Sequence, residues 1–266
     1  MPKTEKMPDS VAIATFGILV LLVWESAVRA LNIPRLLVPA PSQIAQALVA
    51  GLVLAPFAAN GFLYNGLFTL GEAFGGFLIG GIIGIALGAV LSQSRTLEEL
   101  LLPYIVALQS MPRIALAPLV LVWVGLGPAS KLLIVFLVTF FPVFVNSLAG
   151  FRDADPERLE MLRSLGASNW QLFRLVRLPS ALPLVFAGLD IAIVYSLIGG
   201  VVGEMLGSSV GLGQLLVQMM NAIDTAGMFA VFLVLAAFGI LLSQLMRALK
   251  RRVLFWAASE RRPLNA

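Results

Sequence analysis

Apolar residues gather in long runs with short polar breaks between them. The runs cover residues 11–30, 67–91, 100–124, 132–145, 184–202 and 228–249. About 20 such residues carry a helix across roughly 30 Å of hydrocarbon. The pattern predicts an all-α integral membrane protein with six transmembrane helices.

The polar breaks carry their own signals. Residues 33–42 contain Pro34, Pro39 and Pro41, and each proline removes a backbone donor and fixes φ, so this stretch reads as a loop. Ser42 is the expected N-cap of a short amphipathic helix reaching Leu54 and lying at the interface. Lys3 and Lys6 give residues 1–10 the charged start of a signal peptide, but no small-residue cleavage site follows, so 11–30 is kept as the first span.

Composition removes most other classes. The chain of 266 residues is 59% hydrophobic and 12% charged, half the charge of an average soluble protein, and could not cover so apolar a core in water. It has no Cys and no His, which leaves neither a disulfide, nor a thiolate or imidazole metal site, nor the usual neutral-pH base. Neither a catalytic residue nor a metal ligand is assigned. A net charge of +4 scattered between apolar runs speaks for membrane orientation rather than for nucleic acid.

With six spans both termini share one face of the membrane. That face collects Lys3, Lys6, Arg95, the five arginines between Arg152 and Arg177, and the six basic residues from Arg247 onward. Only Arg29, Arg35 and Lys131 fall opposite, and Arg113 lies within a span; by the positive-inside rule both termini are cytoplasmic. The expected division is a cytoplasmic N-terminus (1–10), one transmembrane domain (11–249) with a cytoplasmic loop at 150–183, and a basic tail (250–266).

In the second run Gly76, Gly80, Gly84 and Gly88 recur every fourth residue, a stripe along which another backbone can approach closely. In the loop, Asp155 is placed to cap a helix opening on Pro156, with Glu157 in its first turn and Gly166 just past its end. Ser168 and Gln171 then make a capping-box pattern for a second helix, which Pro179 is expected to stop. Such a helix pair is suited to insertion into a groove on another protein.

The run Glu160, Met161, Leu162, three residues, Gly166, nine residues, Val176, one residue, Leu178, Pro179 resembles the EAA loop of ABC-importer permeases. Met161 and Leu162 stand where alanines are usual, and Val176 replaces isoleucine. Pro112, residues 115–118, Trp123, Gly125, Gly127, Ser130 and Lys131 are similar to the third-span region of the nitrate, sulfonate, taurine and pyrimidine-precursor permeases, as are Gly203, Glu204, Gly211, Leu212 and Gly213. Residues 195–204 look more like the pyrimidine-precursor branch than the taurine branch.

The resemblance implies an ABC type I importer permease fold in a bacterial inner membrane, working as a homodimer. It implies two cytoplasmic ABC ATPases on the loop residues Glu160, Met161, Leu162, Arg163, Gly166, Leu178 and Pro179, with Glu160 meeting a basic residue of the ATPase and Gly166 setting the turn. An extracytoplasmic binding protein would deliver the solute. ATP and magnesium belong to the ATPase, and this chain, which has no Gly-rich P-loop, is expected to bind no cofactor and to be no enzyme itself.

Charges within spans normally face a cavity or a partner. Glu25 and Glu72 lie near predicted span ends and are expected to snorkel. Arg113 follows Pro112 in a proline-broken span, and with Gln109, Asp190, Tyr195 and Glu204 it makes up the candidate translocation pathway; a pair between Asp190 and Arg113 is the alternative for those two. Glu204 reads either as an outer gate or as a structural hydrogen-bond acceptor. The competing functional class is a stand-alone secondary carrier or channel without an ATPase, which would leave the loop unexplained.

Overall fold

The computed structural model describes residues 9–256, and every regular element among them is helical. The first half holds α1 (Asp9–Ala30), α2 (Pro41–Val49) with a π-turn at Ala50–Leu54, α3 (Phe62–Leu91), α4 (Arg95–Gln109), a 3-10 turn at Arg113–Leu116 and α5 (Ala117–Val124). There follow α6 (Pro128–Arg152), α7 (Pro156–Ser164), α8 (Asn169–Leu172), a π-turn at Phe173–Arg177, α9 (Leu178–Gly207), α10 (Leu212–Asn221) and α11 (Thr225–Val253). The expectations for Lys3, Lys6 and the tail arginines Arg261 and Arg262 lie outside the described residues.

Five helical runs are long and apolar enough to cross a membrane, and the pair made by α4 and the segment Arg113–Val124 brings the number to six, with a bend of 82° between its halves. Pro112 accounts for the break. It holds extended backbone at φ −70 and ψ 90, and a proline disfavours helical geometry in the residue before it.

Several boundaries differ from the sequence expectation. The fourth span is the longer Pro128–Arg152, which draws Lys131 out of the expected outer loop and into the first turn of a helix. Pro179 does not stop the second loop helix, because Asn169–Gly207 runs on as one helical stretch of 39 residues. The wider π-turn at Phe173–Arg177 immediately before it accommodates the missing donor and the ring. Likewise α11 extends to Val253, so the basic residues from Lys250 begin on its last turn.

Ser42 is not the cap of α2. Ala40 takes that position with Pro41 after it, and the Gln43 side chain accepts from the Ala40 amide at 3.2 Å. The Ser42 amide and hydroxyl instead donate to the Glu25 carboxylate at 3.0 and 2.9 Å, while Arg29 pairs with the same carboxylate at 2.5 Å. Glu25 therefore serves as a tertiary cap on the positive end of α2.

The described residues divide into two compact units, one of residues 9–65 with Leu215–Val234 and one of Gly66–Gln214 with residues 235–256. The first is tied by the Glu25–Ser42 bonds, by Trp24 against Phe229 with ring centroids 6.0 Å apart, and by the Thr225 hydroxyl donating to the Arg35 carbonyl at 2.5 Å. The second is centred on α6, whose Val135, Val138, Val143 and Phe144 are buried.

Glycines bring the neighbours of α6 close. The expected stripe on α3 meets it along its length: Gly76 faces Val135, Gly80 faces Thr139, Gly84 faces Phe144 and Gly88 faces Ser147. From α9, Gly188 faces Pro142 and Gly199 faces Val138. A Cβ added at Gly88 would stand 2.8 Å from the Ser147 Cβ and 2.9 Å from the Leu148 nitrogen, so Gly88→Ala forces backbones apart. Such overpacking costs on the order of 1–3 kcal/mol. Gly71→Ala meets nothing within 4 Å and gains helix propensity, so it is the matched control. The first variant is expected to lower the thermal midpoint in detergent and the second to leave or raise it; equal midpoints would contradict close packing as the role of the stripe.

Candidate functional site

The loop after α6 is built by its local sequence. The Asp155 carboxylate accepts from the Glu157 amide at 2.9 Å and pairs with Arg158 at 3.2 Å, starting α7 at Pro156. Gly166 adopts φ +83, its amide donates to the Arg163 carbonyl at 2.9 Å, and the Ala167 amide reaches the Leu162 carbonyl at 3.0 Å. These two bonds close the helix end in a left-handed turn. The expected capping box is present: the Ser168 amide donates to the Gln171 side chain at 2.7 Å, and its hydroxyl accepts from the Gln171 amide at 3.4 Å.

The motif positions split into two groups. No residue of α7 is buried, and Glu160, Met161, Arg163 and Gly166 are exposed, with Leu162 half-buried. Leu165 and Trp170 add to an exposed apolar set on a charged, polar loop. The return limb is fixed instead. Val176 is buried, Leu178 packs against Phe151, Ala181 and Val185, and the Phe173 ring lies 5.7 Å from both Phe151 and Trp170. Pro179 is half-buried in the first turn of α9.

Of the pathway candidates, two come together in one cleft, and Gln109 reaches it only through its backbone carbonyl. Arg113 and Tyr195 line a cleft of about 470 Å³ with Met111, Pro112, Val138 and Ile198. The Arg113 guanidinium lies 5.0 Å from the centre of the Phe141 ring and donates to the Gln109 carbonyl at 3.4 Å. A cation over a ring face is held by the ring quadrupole, which leaves this one part of an otherwise apolar wall. Ile198 also borders a groove of about 630 Å³ between α9 and α11.

Asp190 and Glu204 stand apart. Asp190 pairs with Lys250 of α11 at 3.0 Å, so the alternative pair with Arg113 is not formed. Glu204 is fully buried and accepts from the Gly213 amide at 2.7 Å. Gly211, at φ +114, and Gly213 both close on this carboxylate, and a Cβ on Gly213 would come within 2.9 Å of the Glu204 Cβ. At 1.5 Å per residue, Glu204 is roughly 13 Å along the helix from Tyr195, too far to line the same cleft.

Two further ion pairs escaped the sequence reading. Lys131 meets Glu72 at 2.5 Å and the Ser208 hydroxyl at 2.8 Å, with the lysine and glutamate side chains 6% and 13% exposed; Glu72 does not snorkel. Glu98 of α4 pairs with Arg152 at the end of α6. In both cases the partners lie on different helices, and nothing in the order of residues gives the register between two helices.

The family model described as "Binding-protein-dependent transport system inner membrane component" matches residues 76–255. The chain is 36% identical over 241 residues to the riboflavin transport system permease protein of Chloroflexus aurantiacus, covering 91% of this chain and 88% of that one. It is 32% identical over 241 residues to the formylaminopyrimidine transport permease protein of Halalkalibacterium halodurans, covering 91% and 94%. The taurine transport system permease protein of Escherichia coli is 30% identical over 252 residues, covering 93% and 90%. Among solved structures, an inward-facing form of the MetNI methionine ABC transporter superposes with a TM-score of 0.63 at 21% identity, over 79% of this chain and 97% of that one. The fold is thus that of an ABC type I importer permease. With the match spanning residues 76–255, and relatives alike over nearly their whole length, this chain belongs to the binding-protein-dependent transport system inner membrane components, the permease subunits of ABC importers.

Proposed function

We propose that two copies of this chain form the pathway of an importer in the bacterial inner membrane, with residues 150–183 in the cytoplasm as the docking loop for a pair of ABC ATPases. The carrying observation is the exposed helix α7, with Met161, Leu165 and Trp170 bare around the Gly166 turn on a segment too polar to lie in lipid. ATP and magnesium are bound by the ATPases. Closure of their dimer displaces α7, and the anchored limb around Phe173 passes the displacement to α9, which carries Tyr195 into the cleft. Asp190, engaged by Lys250, and Glu204, held by Gly213, keep α9 in place rather than touch solute.

The solute is a small organic molecule or oxyanion handed over by an extracytoplasmic binding protein. The names of the relatives favour the pyrimidine-precursor and flavin end of the range over nitrate. Purification from native membranes is expected to bring down a P-loop ATPase in equal amount, and Met161→Glu to lose it while the chain still inserts. Solute uptake by the chain alone in liposomes, or a loop labelled from the outer face, would overturn this reading and favour the stand-alone carrier.

A further inference from the structure

We infer that the Glu98–Arg152 ion pair is a positioning link through which the docking loop sets the angle of α4, and with it the shape of the cleft holding Arg113 and Tyr195. The inference rests on residues 150–183 being the docking loop.

Helix α4 has a single buried residue, and that residue is Glu98. Its side chain is 4% exposed and meets the half-exposed Arg152. Ile105 packs against Leu91, Phe144 and Leu148 further along, half-buried. A helix this thinly anchored takes its orientation from the few contacts it has. The pair also joins complementary helix ends: Glu98 lies in the first turn of α4 and Arg152 is the last residue of α6, so each charge is favoured by its own helix dipole.

Arg152 is separated from α7 by three residues, so displacement of the loop arrives first at this arginine. Around the pair lies a cleft of about 350 Å³ bordered by Ser92, Arg95 and Glu99, which gives the guanidinium room to swing. At the other end α4 runs into Met111, Pro112 and Arg113 of the pathway cleft. From Glu98 to Gln109 the helix makes a lever of about 16 Å, so a tilt of about 5° at Glu98 shifts that end by about 1.4 Å. Glu98 and Arg152 touch no solute; they act through α4.

The chain has no cysteine, so single reporters can be placed cleanly. An Ile114→Cys reporter in the cleft and a Leu165→Cys reporter in the loop are labelled with a water-soluble maleimide. Labelling is done on the assembled importer in nanodiscs, with and without ATP and vanadate. In the parent chain the cleft reporter is expected to change its labelling rate at least about fivefold on nucleotide trapping. Glu98→Gln and Arg152→Gln should each reduce that change below about twofold, while the conservative Arg152→Lys and the swap Glu98→Arg with Arg152→Glu restore it. A full response in either glutamine variant overturns the link. Should a glutamine variant fail to insert, the double variant Glu98→Ala with Arg152→Ala decides, since it leaves no unpaired charge: an undiminished response there overturns the link equally. The loop reporter separates the two claims. Slowed labelling at Leu165→Cys when the ATPase binds shows the loop occupied, whereas unchanged labelling in the parent chain removes the docking reading itself.

Discussion

A valine in place of Gly166 will leave the permease inserted and uncouple it from its motor. Gly166 holds φ +83, where a β-branched residue is a backbone outlier. Nothing lies within 4 Å of a Cβ added there, so the penalty is conformational and no neighbour is struck. Strain of this kind costs of order 1–3 kcal/mol. The turn escapes it by opening, which releases the bonds from the Gly166 and Ala167 amides and re-aims α7. Because α7 buries nothing, membrane insertion has no stake in that turn. Solute moved per ATP hydrolysed in proteoliposomes is expected to drop about tenfold or more. Gly166→Asn is the control, since asparagine tolerates the left-handed region, and it should keep most of the coupling. A valine variant that transports as well as the asparagine one would show that the turn does not set the geometry of docking.

Lys131→Met will be the most damaging single change within the spans. Lys131 neutralises Glu72 at 2.5 Å and also holds the Ser208 hydroxyl at 2.8 Å, beyond the end of α9. Removing one partner of a buried pair leaves an uncompensated charge, at about 3–5 kcal/mol. The double variant Glu72→Leu with Lys131→Met removes both charges and is expected to recover most of that loss, because buried pairs replaced by apolar groups are often neutral. The measurement is the thermal midpoint in detergent for both single variants and the double. If the double is no more stable than Lys131→Met, the two residues do not act as a pair. The same logic explains why Glu72 stays so deep in α3: its charge is compensated where it sits and has no need to reach the headgroups.

The loop illustrates what local chemistry settles. Asp155, Gly166, Ser168 and Gln171 were legible because each meets a backbone group within three residues of itself. Pro179 misled for a related reason: read alone it ends a helix, yet a π-turn beside it absorbs its ring. The Gly203-Glu204 and Gly211-Leu212-Gly213 positions resembled the family before their purpose was visible. In the fold Glu204, Gly211 and Gly213 form one clasp, a buried carboxylate with two glycines closing on it, while Gly203 faces Ile134 and Lys131 of α6.

The sequence by itself determined the solvent, the approximate spans, the glycine stripe and the turn at Gly166. These follow from period, composition and contacts between near neighbours, all of which are carried in the order of residues. Only the tertiary structure decided that Lys131 answers Glu72, that Lys250 rather than Arg113 answers Asp190, and that Arg152 answers Glu98. It also brought Arg113 and Tyr195 to one cleft and kept Glu204 out of it. The reason is physical: each of these depends on the rotation and sliding of one helix against another. Close packing at glycines fixes that register, and an apolar sequence with many equivalent faces does not announce it.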